Sequence, residues 1–309
     1  MSPGPRSSKA FHPDGVMVLN KPEGPTSTAC LNKIKSRFKL KKLGHAGTLD
    51  PMARGVLVAL LGQATKLAPY ITEGRKTYWG VIRLGVSTDT YDMQGTVLEE
   101  KDCSEVSPET IEREIKSWED LKEQPVPAVS AAKHQGKPFY ALARAGQEVP
   151  CKTKEIDIYQ AQVLNIEPPL VEFRITCSAG TYVRSLAHSL GMRVGCCAAL
   201  AELVREKSHP FSLDQAVDLD TLMEARDLNE HLLPIPRAMS HWEHVRLDPE
   251  QEAFVRNGRP IEARNAPRTV DGQHPRALLL SMDGSSLALA EARKTDGRLM
   301  WSIIRGLWT

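Results

Sequence analysis

The chain has 309 residues, enough for a large hydrophobic core and about two domains. Its 41% hydrophobic and 25% charged residues are the balance of an ordinary soluble protein, and a formal net charge of +2 excludes attraction to a polyanion by overall charge alone. No apolar run approaches membrane-spanning length, and the Pro-, Ser- and Gly-rich stretch from Met1 to Asp14 lacks the apolar core of a signal peptide, which argues against membrane and secretory classes.

Residues 1–13 read as a disordered leader. Gly15 to Leu19 follows as a buried strand running into the two-proline turn Lys21-Pro22-Glu23-Gly24-Pro25. Ser27 or Thr28 is expected to cap a helix reaching Phe38. Lys33, Lys35, Arg37, Lys39, Lys41 and Lys42 then form a basic block without an acid, leading into Gly44-His45-Ala46-Gly47-Thr48-Leu49-Asp50-Pro51-Met52-Ala53-Arg54-Gly55. That stretch has neither helical nor strand periodicity and reads as a shaped loop. Asp50 precedes a proline, which pushes it toward extended backbone, so the loop presents His45 and Asp50 outward. The apolar run Val56 to Gly62 anchors it to the core. A basic block beside such a loop points to a polyanion passing Asp50.

A short helix is expected over 64–72, then an alternating strand from Arg75 to Gly85 carrying Tyr78, closed by the acidic turn Thr88 to Asp92. Ser107 opens a helix to Trp118. Gln124 to Gly146 mixes basic, aromatic and turn residues, as in a segment folded over a ligand. Strands are expected over 156–166 and 170–177. Gly180-Thr181-Tyr182-Val183-Arg184 opens a helix through Leu190, and an arginine so near the helix's positive end suits a carboxylate or phosphate partner. An apolar stretch covers 196–204, an amphipathic one 222–233, and Pro234 and Pro236 break the chain. From about Arg246, short strands over 277–281, 286–293 and 300–304 form a small β-rich C-terminal domain. The six cysteines include no C-x-x-C pair or zinc-like spacing, so they are expected to be reduced and packed, as in the cytosol, with no metal site.

In order and spacing, several of these motifs together resemble the TruB family of tRNA pseudouridine synthases. The likeness runs through Gly15 to Gly24 with Lys21-Pro22, Gly44 to Pro51, Lys76-Thr77-Tyr78 through Gly85, Thr88-Asp89-Thr90, Ser130-Ala131, Lys133-His134-Gln135-Gly136 and Gly180 to Arg184. Asn257-Gly258-Arg259-Pro260-Ile261 resembles the family's entry to its C-terminal domain. The sequence departs from the family at Val129, where many relatives carry an aromatic residue, and at Leu203-Val204-Arg205, which retains part of a Leu-Arg-Arg pattern.

The resemblance implies an α+β fold: a catalytic domain over 14–240 on a mixed, mainly antiparallel curved sheet with flanking helices, and a PUA-like RNA-binding domain over 241–309. It implies that a segment over about 124–152 closes on RNA. The implied activity is cofactor-independent isomerisation of uridine 55 in the tRNA T arm, by a cytoplasmic monomer with no membrane contact, metal or obligate protein partner. Residue by residue, it makes Asp50 the catalytic carboxylate, Arg184 its partner and Tyr78 the ring against the target base. His45 would hold the T loop once the uridine has left its stack, Lys21 would border the site, and Tyr182 and Leu203 would line the pocket. A non-catalytic RNA-folding protein and an RNA-guided synthase are the alternatives.

Overall fold

The computed structural model describes residues 13–130, 132–264, 266 and 274–308. The leader, apart from Pro13, and Ala131 of the Ser130-Ala131 motif lie outside them. In chain order the first strands are β1 (Gly15–Lys21), β2 (Leu43–His45), β3 (Arg54–Leu61), β4 (Lys76–Leu84), β5 (Val86–Thr88), β6 (Val97–Glu100) and β7 (Glu123–Pro125). Then come β8 (Lys133–His134), β9 (Lys137–Pro138), β10 (Thr153–Glu155), β11 (Ile158–Glu167), β12 (Leu170–Cys177), β13 (Ala198–Ser208), β14 (Phe211–Ser212) and β15 (Val217–Asp218). The last five are β16 (Glu243–Arg246), β17 (Ile261–Glu262), β18 (Arg276–Leu280), β19 (Ser286–Thr295) and β20 (Arg298–Gly306). The helices are α1 (Ser27–Arg37), α2 (Ala68–Thr72), α3 (Pro108–Lys116), α4 (Phe139–Arg144), α5 (Val183–Val194), α6 (Leu219–Glu224), α7 (Ile235–Ala238) and α8 (Pro249–Arg256).

The fold is α+β. A nine-stranded sheet has the order β11-β12-β4-β13-β3-β1-β15, with β2 on β3 and β14 on β13. Its pairs are antiparallel except β13–β3 and β1–β15. A five-stranded sheet, β16-β18-β19-β20-β17, follows toward the C-terminus.

The near-continuous apolar runs of β1 and β3 are explained by cover on both faces of the large sheet. Met17, Leu19 and Leu57 face one core with α1, α3 and α5, while Val16, Val18, Val56 and Val58 face a second. That second core also takes in Leu278, Leu280, Leu289 and Leu307, so the C-terminal sheet packs on the back of the large one.

Four elements differ from the sequence reading. The α1 cap is Thr26, because the Ser27 hydroxyl is taken by the backbone of Leu49. The 64–72 helix is a 3-10 turn over Gly62–Leu67 followed by α2, with Pro69 in its first turn, where a missing N–H costs least. The 222–233 stretch holds the end of α6 and a separate 3-10 turn at Leu228–His231. Gly44 and His45 belong to β2, and Arg54 and Gly55 to β3, so the loop proper spans 46–53.

Candidate active site

The Asp50 loop is pinned from three sides. From the end of β1, Lys21 Nζ donates to the carbonyls of Pro22 (2.8 Å), Pro51 (3.2 Å) and Ala53 (2.7 Å). From the start of α1, Ser27 Oγ both donates to the Leu49 carbonyl and accepts the Leu49 N–H. From β13, Arg205 Nε donates to the Val56 carbonyl at 2.7 Å, and its terminal nitrogens to those of Thr48 (3.1 Å) and Gly47 (3.0 Å). Asp50 is thereby held at the wall of a cleft of about 650 Å³, of the size of small-molecule sites.

Arg184, in the first turn of α5, meets Asp50 across the cleft wall. Its Nε donates to Asp50 Oδ2 at 2.8 Å and a terminal nitrogen to Oδ1 at 3.2 Å, the two-pronged geometry that fixes a carboxylate's plane. Its other bonds go to the carbonyls of Thr90 (2.7 Å) and Val129 (3.1 Å), and buried Asp92 lies 3.6 Å from Nε. Two carboxylates offset the cost of a cation at a helix N-terminus. The Thr90 turn is held in turn by Tyr91, which stacks on His188 one helical turn beyond Arg184, ring centroids 4.0 Å apart.

His45, Asp50, Tyr78, Tyr182 and Leu203 all line the cleft. Tyr78 is buried on β4 and Leu203 on β13. Burial, aided by the nearby Arg205, lowers the His45 pKa, so its ring is neutral at neutral pH. Burial pushes the Tyr182 phenol up. Lys21 is brought to the loop but not to the cleft: it is fully buried behind Asp50, its pKa lowered by burial. Of the basic block, Arg37 is engaged, donating to the carbonyls of Met223 and Ala225 at the end of α6, whereas Lys33, Lys35, Lys39, Lys41 and Lys42 are exposed.

Four further residues belong to this assembly that the sequence reading assigned no role. Arg205 and Asp92 are described above. Lys76 lines the cleft, its Nζ donating to the carbonyls of Thr72 and Gly74, both at 2.5 Å, and burial takes its pKa down to about 8. Gln124 grips Tyr182 with its side-chain amide, accepting the Tyr182 N–H at 2.6 Å and donating to the Tyr182 carbonyl at 2.9 Å. A signal was present for one of them: Arg205 is a cation inside a strand, two residues after Leu203 and so on the same face, a placement a solvated charge does not need.

Residues 35–183 match the N-terminal domain of TruB family pseudouridylate synthases. The chain is 49% identical to the tRNA pseudouridine synthase B of Nitratidesulfovibrio vulgaris (strain Miyazaki F), over 96% of this chain and 97% of that protein. It is 50% identical to the tRNA pseudouridine synthase B of Oleidesulfovibrio alaskensis, over 97% and 98%. Among solved structures it superposes on a chain of an H/ACA RNP bound to a substrate RNA containing 2'-deoxyuridine, with a TM-score of 0.70 and 23% identity over 96% of this chain and 85% of that one. A Cbf5-Nop10-Gar1 complex gives a TM-score of 0.69, again at 23% identity, over 95% and 85%. These two likenesses concern the fold. With relatives about half identical along nearly its entire length, and the family's N-terminal domain matched through the Asp50 loop and Tyr78, the chain belongs to the TruB family of pseudouridylate synthases.

Proposed function

We propose that this chain isomerises uridine 55 in the T arm of tRNA to pseudouridine, with Asp50 as the catalytic carboxylate. The observation that carries the reading is the pairing of Asp50 with both prongs of buried Arg184 at the wall of a cleft that Tyr78 and Leu203 also line. Relatives named tRNA pseudouridine synthase B over nearly the full chain support tRNA as the substrate.

The reaction breaks the bond from ribose C1′ to uracil N1, turns the base, joins C1′ to C5 and removes the C5 proton. These steps call for a carboxylate at the sugar or base, an acceptor for the C5 proton and a dry pocket that keeps the detached uracil, and no redox or metal cofactor. Asp50 supplies the carboxylate and Arg184 orients it. The uridine must first be flipped from its loop at a cost of a few kcal/mol, of which stacking on Tyr78 returns about 1–3 kcal/mol. Neutral His45 is suited to fill the vacated stack. Tyr182 and Leu203 close the pocket, while Lys21 acts from behind by fixing the loop.

In this reading residues 14–240 form the catalytic domain and 241–309 a PUA-like RNA-binding domain. The segment over about 124–152 closes on the T loop, and the protein works in the cytoplasm as a monomer without an obligate partner. The test is tritium release from unmodified tRNA carrying [5-³H]uridine. Wild-type protein is expected to release tritium. Asp50→Asn is expected to bind the tRNA in a filter assay without release, and a tRNA with uridine 55 replaced is expected to be inert. Release from the replaced tRNA overturns the target, and loss of binding by Asp50→Asn in proportion to its activity makes Asp50 structural.

A further inference from the structure

The cleft carries more positive charge than the isomerisation uses. Among the described residues four cations line it, Lys76, Lys152, Lys154 and Arg205, against one carboxylate, Asp50, which Arg184 already engages. Lys76 and Arg205 are buried and held by carbonyls, whereas Lys152 and Lys154 are exposed at the rim. Lys122, just before β7, pairs with Asp157 at 3.2 Å, but the two rim lysines have no ion pair among the described residues. Strand register sets their place. Lys154 on β10 stands directly opposite Gln124 on β7, so both side chains point to one face. Gln124 uses that face to grip Tyr182, and Lys154 lies across Gly180, two residues earlier in the chain. Gly180 has a φ of +83°, and a Cβ there would collide with the Lys154 Nζ, so only glycine leaves the ammonium this seat. The pairing runs on beyond β10, with the Val126 N–H donating to the Lys152 carbonyl at 2.8 Å. Lys152 therefore shares the face of Lys154, about 6.6 Å away along the extended chain. That step matches the separation of the two phosphates that flank one nucleotide in an extended strand.

We propose that Lys152 and Lys154 form a phosphate clamp at the cleft mouth, holding the two backbone phosphates that flank the target uridine once its base has entered the cleft. This rests on the function proposed above and names the residues that grip the extruded nucleotide by its backbone. A nucleotide turned out of its loop offers base and ribose to Asp50 and Tyr78 and leaves its 5′ and 3′ phosphates outside, at the mouth. Lysine ammonium groups hold phosphate as point charges on flexible stems, with no demand for a fixed fork. Both contacts form only when the nucleotide is out of its stack, so they offset part of the cost of flipping it. They carry no base information, and the clamp therefore fixes where the nucleotide sits rather than which base it bears.

The test uses T-arm stem-loops carrying [5-³H]uridine at the target position. In one the linkage on the 5′ side of that uridine is an uncharged methylphosphonate, with a 2′-deoxy sugar before it for chemical stability. The reference has the same deoxy sugar and an ordinary phosphate, and a third has its methylphosphonate in the stem. Single-turnover tritium release at subsaturating RNA is measured for wild type and for the double variant Lys152→Gln with Lys154→Gln. Both sites are exposed, so the variant is expected to melt with wild type; should it not fold, Lys154→Gln alone carries the comparison. Wild type is expected to slow about tenfold on the flanking methylphosphonate and less than about twofold on the stem one. The double variant is expected to be about tenfold slower than wild type on the reference and to respond less than about twofold to the flanking methylphosphonate, because the charge removed is no longer held. Its slope of log affinity against log salt, from filter binding of the reference, is expected to flatten by roughly 0.7 for each phosphate released. The proposal is overturned by a wild type indifferent to the flanking methylphosphonate, by a variant with wild-type rate or salt slope, or by a variant that still slows tenfold on that linkage. Wild type inert on the reference and on unmodified tRNA removes the proposed function and this inference together, whereas an active wild type with any of those results removes the inference alone.

Discussion

Lys21, Lys76, Arg184 and Arg205 are all nearly or fully buried around one loop, and of these only Arg184 pairs with Asp50. The other three are held by carbonyl oxygens, whose partial charges offset only part of the desolvation cost. Lys76 makes that cost measurable. Its folded pKa of about 8 lies below the ordinary 10.5, so between these values the unfolded chain holds more protons than the native one. Stability therefore rises with pH across that window, by up to about 3 kcal/mol from this group. Urea unfolding of wild type and Lys76→Met from pH 7.5 to 10.5 is expected to show the rise in wild type only, superimposed on whatever both share. A parallel response in both places the burial cost elsewhere.

Among the elements, α5 is the one on which the cleft turns, since it carries Arg184 at its first turn and follows directly on Tyr182. Tyr182 is its N-cap residue without a side-chain cap, and Gln124 at β7 takes over the backbone instead. Because β7 pairs with β10, the segment between them is anchored to α5 by this amide and by the Arg184 bond to the Val129 carbonyl. Gln124→Ala leaves the Tyr182 N–H without its partner, while the Tyr182 carbonyl keeps the Ser185 and Leu186 N–H groups, a cost of about 1–3 kcal/mol. Hydrogen exchange is expected to speed up over 123–155 while the large sheet is unchanged. The RNA concentration for half-maximal rate is expected to rise about fivefold, with the saturated rate within about threefold. Equal loss of protection in β1 and β3 would make Gln124 a global stabiliser instead. Such bonds are illegible in sequence: a glutamine before Pro125 looks like any polar loop residue, whereas the strand at Leu170–Cys177 was given correctly by its apolar alternation alone.

In the whole molecule the two sheets are joined by a shared core and by polar contacts at its rim. Lys66 donates to the Trp308 carbonyl at 2.9 Å, and Arg276 pairs with Glu73 at 3.0 Å while lying over the rings of Tyr70 and Trp242. On the α1 side the exposed lysines make no such contacts among the described residues. Replacing Lys39, Lys41 and Lys42 with glutamine is expected to leave stability within about 0.5 kcal/mol, since surface substitutions rarely do more. If these lysines hold phosphates, the slope of log affinity for tRNA against log salt flattens by roughly 0.7–0.9 for each phosphate no longer neutralised. An unchanged slope assigns the RNA path to another face.

The amino-acid sequence by itself determined most of the long strands, though not β13, together with the pre-proline loop around Asp50 and the family, because periodicity, turn chemistry and motif spacing are local properties of the chain. It also paired Asp50 with Arg184, but through resemblance, since nothing local links residues 134 positions apart. Which face of the loop Lys21 occupies, and that Arg205, Asp92, Lys76 and Gln124 converge on the same cleft, was decided only by the tertiary structure. A charged residue's partners are set by what the sheet register and the helix packing bring within about 3 Å of it, and β13 places Arg205 between Tyr78 and Gly55 only once all three strands have paired.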